Sequence, residues 1–262
     1  PAGIQVLMPW ETQYAGKGVY PVGGKIVGST STELSPSLYA GIPFTVRTRA
    51  VDNYFNTVPS TGNVYLVTSD KFSVAPGTST FNPDGTRDFA LTFRTRAADH
   101  RIFASNPDNN FGANVSPNAA NQTTQFFVES SAPVRLLITL PGETAVEGKP
   151  ANVDANGAPA FGSPAGKTGA PSLLTITEGV YSAVTVSVVD AYYNRVRDPA
   201  AQPTVKLETP RDDIDNTESV IPAKQMSSGF VTFSSTYGDG IFPRRARPDY
   251  VVGATCTGAP VP

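Results

Sequence analysis

Apolar and polar positions alternate along much of the chain. Phe44-Thr-Val46-Arg-Thr48-Arg-Ala50-Val51 follows a period of two, and Ala183-Val-Thr185-Val-Ser187-Val188-Val189 does so with the other phase polar. Such a period sends successive side chains to opposite faces of a strand. Val64–Val67, Phe89–Phe93 and His100–Ala104 are three further short runs. Turn signals separate them, among them Pro76-Gly77 and Pro83-Asp84-Gly85. No helical period lasts longer than a turn or two. Short strands every 8–12 residues predict an all-β chain of antiparallel β-sandwiches.

The pattern occurs twice. Val51-Asp52-x-Tyr54-Phe55-Asn56-x-Val58 matches Val189-Asp190-x-Tyr192-Tyr193-Asn194-x-Val196 at an offset of 138 residues. Upstream, Pro9-x-Glu11-Thr12 matches Pro141-x-Glu143-Thr144 at an offset of 132, which predicts six extra residues in the stretch Ala151–Pro171. Downstream, Asn63–Leu66 parallels Thr204–Leu207, and Ala90–Phe93 parallels Phe230–Phe233. Matches in the same order through both halves indicate a duplication. The expected domains are residues 1–131 and 132–262, joined by a linker of a few residues near Ser130–Pro133.

Composition narrows the class. Hydrophobic residues make up 39% of 262 residues, enough for a packed core, while charged residues are only 16%. Thr, Ser, Asn, Gly and Pro carry the solubility. Net charge is −2, so no basic footprint invites nucleic acid or an anionic membrane. No apolar run approaches the length of a membrane-spanning helix. The single cysteine, Cys256, forbids an intrachain disulfide and suits a bacterial surface protein that relies on packing. The chain opens at Pro1 without a signal peptide, as a processed product or a piece of something longer would.

The order "strand, Val-Asp-x-Tyr-x-Asn-x-Val, then Val-x-Leu" resembles the tandem bacterial immunoglobulin-like repeats of invasin- and intimin-type surface proteins. Those carry V-x-D-x-x-G-N-x-V at the end of their second strand; here Phe55 and Tyr193 stand where the family has glycine. The resemblance covers the centre of each repeat. It implies two tandem immunoglobulin-like β-sandwiches. Asp52, Asn56, Asp190 and Asn194 are then corner residues, because Asp and Asn side chains accept local backbone N–H bonds. The aromatics between them would cap the end of the sandwich, with sugar stacking by Tyr54, Phe55, Tyr192 and Tyr193 as the alternative.

The first repeat is expected to close with Thr124–Glu129. In the second, Asp249–Gly253 corresponds to His100–Ala104, and nothing resembling the closing strand follows before Pro262. Either the chain continues, or a neighbouring subunit supplies the strand by strand addition. Ile4, Val6 and Met8 mark the donor candidate.

Candidate chemistry is sparse. His100 reads as a solvent-facing strand residue, with no G-x-S-x-G to supply a nucleophile. Cys256 has no histidine in its own repeat to activate it. Asp212, Asp213, Asp215, Asn216 and Glu218 form the densest oxygen cluster. A solvated loop is the first reading and a calcium site the second, since Ca²⁺ takes six to eight oxygens from such loops. Calcium is thus the only cofactor considered. Gly23-Gly24-Lys25 and Gly166-Lys167-Thr168 lack the spacing of a phosphate loop and fall in the long connection after the first strand. Asn114 and Asn121 head glycosylation sequons.

The expected function is structural and adhesive: a tandem module of an extracellular, cell-surface stalk or filament, with no reaction catalysed. Its partners would be copies of itself or further repeats. A module binding carbohydrate or a receptor is the second hypothesis, and an accessory domain of a larger secreted enzyme the third.

Overall fold

The computed structural model describes residues 1–16, 24–27, 38–108, 123, 125–172, 184–198, 202–208, 221–234, 241 and 250–257. Among these residues there is no helix, and the chain is all-β, built as two immunoglobulin-like sandwiches in tandem. No helix is therefore long and apolar enough to cross a membrane. Two compact units are present, Pro1–Glu129 and Ser130–Pro262. The boundary lies two residues before the expected one. A hydrogen bond from the Ser131 N–H to Asp190 ties the linker to the second unit.

In unit 1, β1 (Gly3–Leu7), β5 (Phe44–Val51) and β8 (Thr86–Leu91) form one antiparallel sheet in the order β1-β5-β8. The facing sheet uses β6 (Asn63–Thr68), β7 (Ser79–Thr80), β9 (Ala97–His100), β10 (Ile102–Ser105) and β11 (Phe126–Glu129). β9 and β10 continue one path through Arg101. The first part pairs with β11 and the second with β6. β4 (Leu38–Tyr39) runs parallel to β11. Val46, Val64, Phe93, Ile102, Phe126 and Val128 fill the space between the sheets and are essentially inaccessible to water. Full burial of each such side chain stabilises by about 1.5–3 kcal/mol. A hairpin of β2 (Glu11–Gln13) and β3 (Lys25–Val27) leaves the first sheet after β1.

Unit 2 repeats the plan. β12 (Arg135–Thr139), β15 (Val184–Val189) and β18 (Phe230–Phe233) form the first sheet. β16 (Thr204–Glu208), β17 (Lys224–Gln225) and β19 (Gly253–Thr257) form the second, in the order β17-β16-β19. β13 (Glu143–Ala145) and β14 (Lys167–Gly169) make the equivalent hairpin. Val184, Val186, Val188, Val205, Leu207 and Phe233 are the centre of its core.

Strand registers revise three sequence equivalences. Ala104 lies opposite Leu66, and Ala254 opposite Leu207, so Tyr250–Ala254 is the counterpart of His100–Ala104, one residue later than expected. The shift matters because a single step exchanges the two faces of a strand. Val46 pairs with Phe89 and Val184 with Phe233, so Phe230–Phe233 corresponds to Thr86–Phe89, not to Ala90–Phe93. The six-residue excess is a net figure. Gly16 and Gly24 are eight apart but Gly148 and Gly166 eighteen, while Lys167 to Val184 is four residues shorter than Lys25 to Val46.

The donor candidate is also corrected. Ile4, Val6 and Met8 are 6%, 0% and 2% exposed, and Gly3–Leu7 is paired residue by residue with Val51–Arg47. The segment is a full member of its own sheet. Donating it would open the core it helps to fill.

Candidate functional site

The duplicated Asp/Asn motif forms the same turn in both units. Asp52 Oδ1 accepts the N–H groups of Tyr54 and Asn56 at 2.8 and 2.9 Å, and Oδ2 accepts Asn56 Nδ2 at 2.8 Å. Asp190 receives the same three bonds from Tyr192 and Asn194 at 2.8, 2.9 and 2.9 Å. It also takes the Ser131 N–H at 3.0 Å. Asp190 and Asn194 are inaccessible to water, whereas Asn56 is exposed. Phe55 and Tyr193 hold φ of 61° and 65°, the left-handed conformation that explains why the resembled motif has glycine there. A third copy of the turn went unnoticed in the sequence. In Val153-Asp154-Ala155-Asn156-Gly157-Ala158, Asp154 Oδ1 accepts the N–H groups of Asn156 and Ala158 at 2.7 and 2.9 Å. Here glycine does occupy the left-handed position, with φ of 89°. Val-Asp-x-x-Gly was the signal that could have found it.

The corner aromatics press on the hairpins. A side chain at Gly24 would run into the Phe55 ring, and one at Gly166 into the Tyr193 ring. Those glycines are followed by Lys25 and Lys167, which sit on β3 and β14 and not in an open loop. Lys25 Nζ donates to Glu11 Oε2 at 3.0 Å and to the Val6 carbonyl at 3.2 Å; Glu11 Oε2 in turn accepts the Met8 N–H at 3.0 Å. Lys167 repeats the set with Glu143 (2.9 Å) and the Ile138 carbonyl (3.2 Å), and Glu143 accepts the Leu140 N–H at 3.0 Å. Lys25 and Glu11 are almost wholly buried; Lys167 is partly accessible. Burial pushes the Lys25 ammonium below the ordinary lysine range, and Glu11 opposes that. The Gly-Lys dipeptides therefore clamp each hairpin to the first strand.

Each clamp walls a groove on the outer face of the first sheet. In unit 1 it measures about 470 Å³ and contains Arg47, Arg49 and Asp88. Arg47 and Asp88 form a two-point pair, 2.7 Å at both contacts. In unit 2 the groove is larger, about 660 Å³, and Thr185, Ser187 and Thr232 stand where Arg47, Arg49 and Asp88 stood. Tyr193 and Phe230 line it. Arg135 and Arg195 are stacked 4.8 Å from the centres of those two rings.

Three aspartates of unit 1 are held below their ordinary range. Asp88 owes this chiefly to the Arg47 hydrogen bond, Asp52 to the Asn56 amide, and Asp84 to the Thr86 N–H. A carboxyl whose folded pKa is depressed stabilises the fold above its unfolded value, and the effect is lost as pH falls toward the folded value. Unit 1 is thus expected to lose stability progressively below about pH 4. Trp10, the sole tryptophan, packs edge-on against Phe126 and reports unit 1 alone. Its unfolding midpoint should fall less steeply between pH 5 and 2.5 in Asp88→Asn than in the unaltered protein.

The remaining candidates do not converge. His100 is buried, correcting the solvent-facing expectation. Its Nδ1 lies 3.1 Å from Ser69 Oγ, its Nε2 2.7 Å from the Thr95 carbonyl, and its ring packs on Phe93 and Phe126. Cys256 is a half-buried free thiol on β19 opposite Val205. Asp212, Asp213, Asp215, Asn216 and Glu218, and the sequon residues Asn114 and Asn121, lie outside the described residues. Among the described residues no three His, Cys, Asp or Glu side chains are grouped to hold a metal.

No family model matches the chain, and no curated protein matches it. Among solved structures, the apo β-glucuronidase 3 of Bacteroides uniformis aligns over 86% of this chain and 22% of its own, at 13% identity and a TM-score of 0.26. Invasin, a bacterial integrin-binding protein, aligns over 85% of this chain and 35% of its own, at 12% identity and a TM-score of 0.30. The chain thus spans about a fifth and about a third of those proteins. Superpositions this loose leave function to be argued from the residues.

Proposed function

We propose that this chain is a load-bearing tandem module of an extracellular stalk or filament on a bacterial surface, acting by adhesion and catalysing no reaction. One observation carries the reading: the Asp–Asn corner and the Glu–Lys hairpin clamp recur with the same bonds at equivalent positions in both units, and both hold the chain. Asp190 ties the linker to a corner, and Glu11–Lys25 and Glu143–Lys167 tie each hairpin to its first strand. Reactive sites diverge between duplicated domains more readily than the fixings that each copy needs to fold.

The parallel pairing of Leu38–Tyr39 with Val128–Glu129 in unit 1 adds a mechanical argument. Glu129 ends unit 1, so a pull on that end loads this pairing directly. Pulling the chain from its ends should give two separate unfolding events, each releasing about 45 nm of chain. Unit 1 should resist more force after Leu38 and Val128 are left intact than after Val128→Pro, which removes a ladder donor. Extension without discrete events would sink the stalk reading. A binding module remains the second reading, favoured by one feature: Phe161 is fully exposed on a stretch ten residues longer than the equivalent one in unit 1.

A further inference from the structure

The two corners differ in what reaches the outer oxygen of the aspartate. Asp190 Oδ2 accepts the Asn194 amide at 2.9 Å and the Ser131 N–H at 3.0 Å. Asp52 Oδ2 accepts the Asn56 amide at 2.8 Å and no second donor among the described residues. Strand register places the counterpart of the Ser131 donor. Arg135 lies opposite Val189 and Gly3 opposite Val51. The Val134 N–H donates to the Val189 carbonyl, and the Ala2 N–H to the Val51 carbonyl. Pro133 therefore corresponds to Pro1, and Ser131 to a residue two before Pro1. Asp52, held low first by the Asn56 amide, also feels the Pro1 ammonium, so a chain entering at Pro1 passes this corner.

The turn itself does not need the second oxygen. In the Asp154 turn, Oδ1 accepts both backbone N–H groups, and Ala158 stands where the corners have asparagine. The Asn56 and Asn194 amides serve to fix Oδ2, and in unit 2 the oxygen so fixed is the one that holds the linker. Asn56 is thus a positioning residue for an oxygen whose counterpart takes a backbone N–H. Unit 1 keeps the whole set: the aspartate, the asparagine, the tyrosine between them, the left-handed aromatic and the proline ahead of the first strand. Terminal units of a repeat array ordinarily depart from the internal pattern. This corner follows the internal pattern, yet it is open. Asn56 is exposed and Tyr54 is 61% exposed, whereas Asn194 is sealed from water and Tyr192 is half-buried. A hydrogen bond from a backbone N–H to an ionised oxygen is stronger than one between neutral groups, so an arriving linker is held firmly.

We infer that the Asp52 corner is a docking site for the linker of a further tandem unit ahead of unit 1, with Oδ2 accepting the backbone N–H of the residue two before Pro1. This inference rests on the stalk reading and supplies its joint: successive units are fastened to their linkers by the same bond that joins Ser131 to Asp190.

Two extensions of the full chain test the site. One places a copy of Ser130-Ser131-Ala132 ahead of Pro1; the other has proline in place of the second serine and so lacks the N–H. Both move the chain's ammonium away from Asp52 alike. The serine extension should raise the Trp10 unfolding midpoint by about 4 °C over the proline one, and Asp52→Ala should abolish the difference. A third chain, with residues 1–132 placed ahead of the whole protein, tests the occupant. The amide of the linker serine two before the second Pro1 should exchange with solvent at least about tenfold more slowly than when the trailing copy carries Asp52→Ala. Equal midpoints for the two extensions, a difference that survives Asp52→Ala, or a linker amide that exchanges equally fast in both three-unit chains would each overturn the docking site. So would a Trp10 midpoint of the unextended protein that climbs with concentration and stops climbing on Asp52→Ala, which would make a second copy the occupant. Two force events with no effect of the extension would leave the stalk and remove only this joint.

Discussion

Asp190→Ala is expected to destabilise unit 2 by at least about 3 kcal/mol, while the equivalent Asp52→Ala in unit 1 has a much smaller effect. The carboxylate of Asp190 takes four donors: the N–H groups of Tyr192, Asn194 and Ser131, and the Asn194 amide. Asp190 and Asn194 are both sealed from water. Removing the acceptor strands those donors, and each buried polar group left unsatisfied costs about 1–3 kcal/mol. Water entering the gap recovers part of the sum. At Asp52 the three donors face solvent, so water replaces the lost bonds. Chemical denaturation separates the units: circular dichroism follows both, and Trp10 fluorescence follows unit 1 only. Asp190→Ala should move the transition that Trp10 does not see. Equal shifts in the two variants would show that burial of the corner is not what matters.

The second large effect belongs to the buried pair beside Trp10. Lys25→Met should cost unit 1 about 3–5 kcal/mol, because it deprives the buried Glu11 carboxylate of its ammonium partner. The double variant Glu11→Gln with Lys25→Met should regain most of that loss. Two well-packed neutral groups avoid the desolvation that a buried ion pair suffers. Lys167→Met should cost less, since its side chain is 23% exposed. The Trp10 midpoint is the measurement for the first pair. If the double variant is no more stable than Lys25→Met, the lysine acts by its packing and not by its charge. The pH dependence gives a separate check. The Lys25 pKa is lowered in the fold, so the unfolded chain binds more protons between the lowered value and the ordinary one. Its contribution to stability should therefore improve as pH rises through that window.

Much of the architecture was legible because it is encoded locally. The period-two runs, the offset of 138 residues and the Val-Asp-x-x-x-Asn turns all lie within a few residues of chain. A turn in which Asp bonds to N–H groups two and four residues ahead needs no distant partner, so it can be read directly. The third turn, at Asp154, obeyed the same rule and was missed only because its last residue is Ala158 instead of asparagine. The strand equivalences failed where they relied on letters alone. Phe93 and Phe233 look alike, but Gly85 and Gly229 are the true markers. Each packs against a carbonyl, of Val58 and Val196 respectively, with no room for a side chain.

By itself the sequence determined an all-β chain, its duplication and its corners, since strand phase and turn chemistry are properties of neighbouring residues. Only the tertiary structure decided what the lysines after the glycines do, that His100 faces inward, and that Ile4, Val6 and Met8 belong to their own sheet. It also decided that the Arg47–Asp88 pair lies in the groove of unit 1, while Thr185 and Thr232 stand at those places in unit 2. Those outcomes depend on which distant segment lies opposite. Lys25 is buried because a carboxylate and a carbonyl arrive from other strands to meet it, and no local pattern in the chain states that they will.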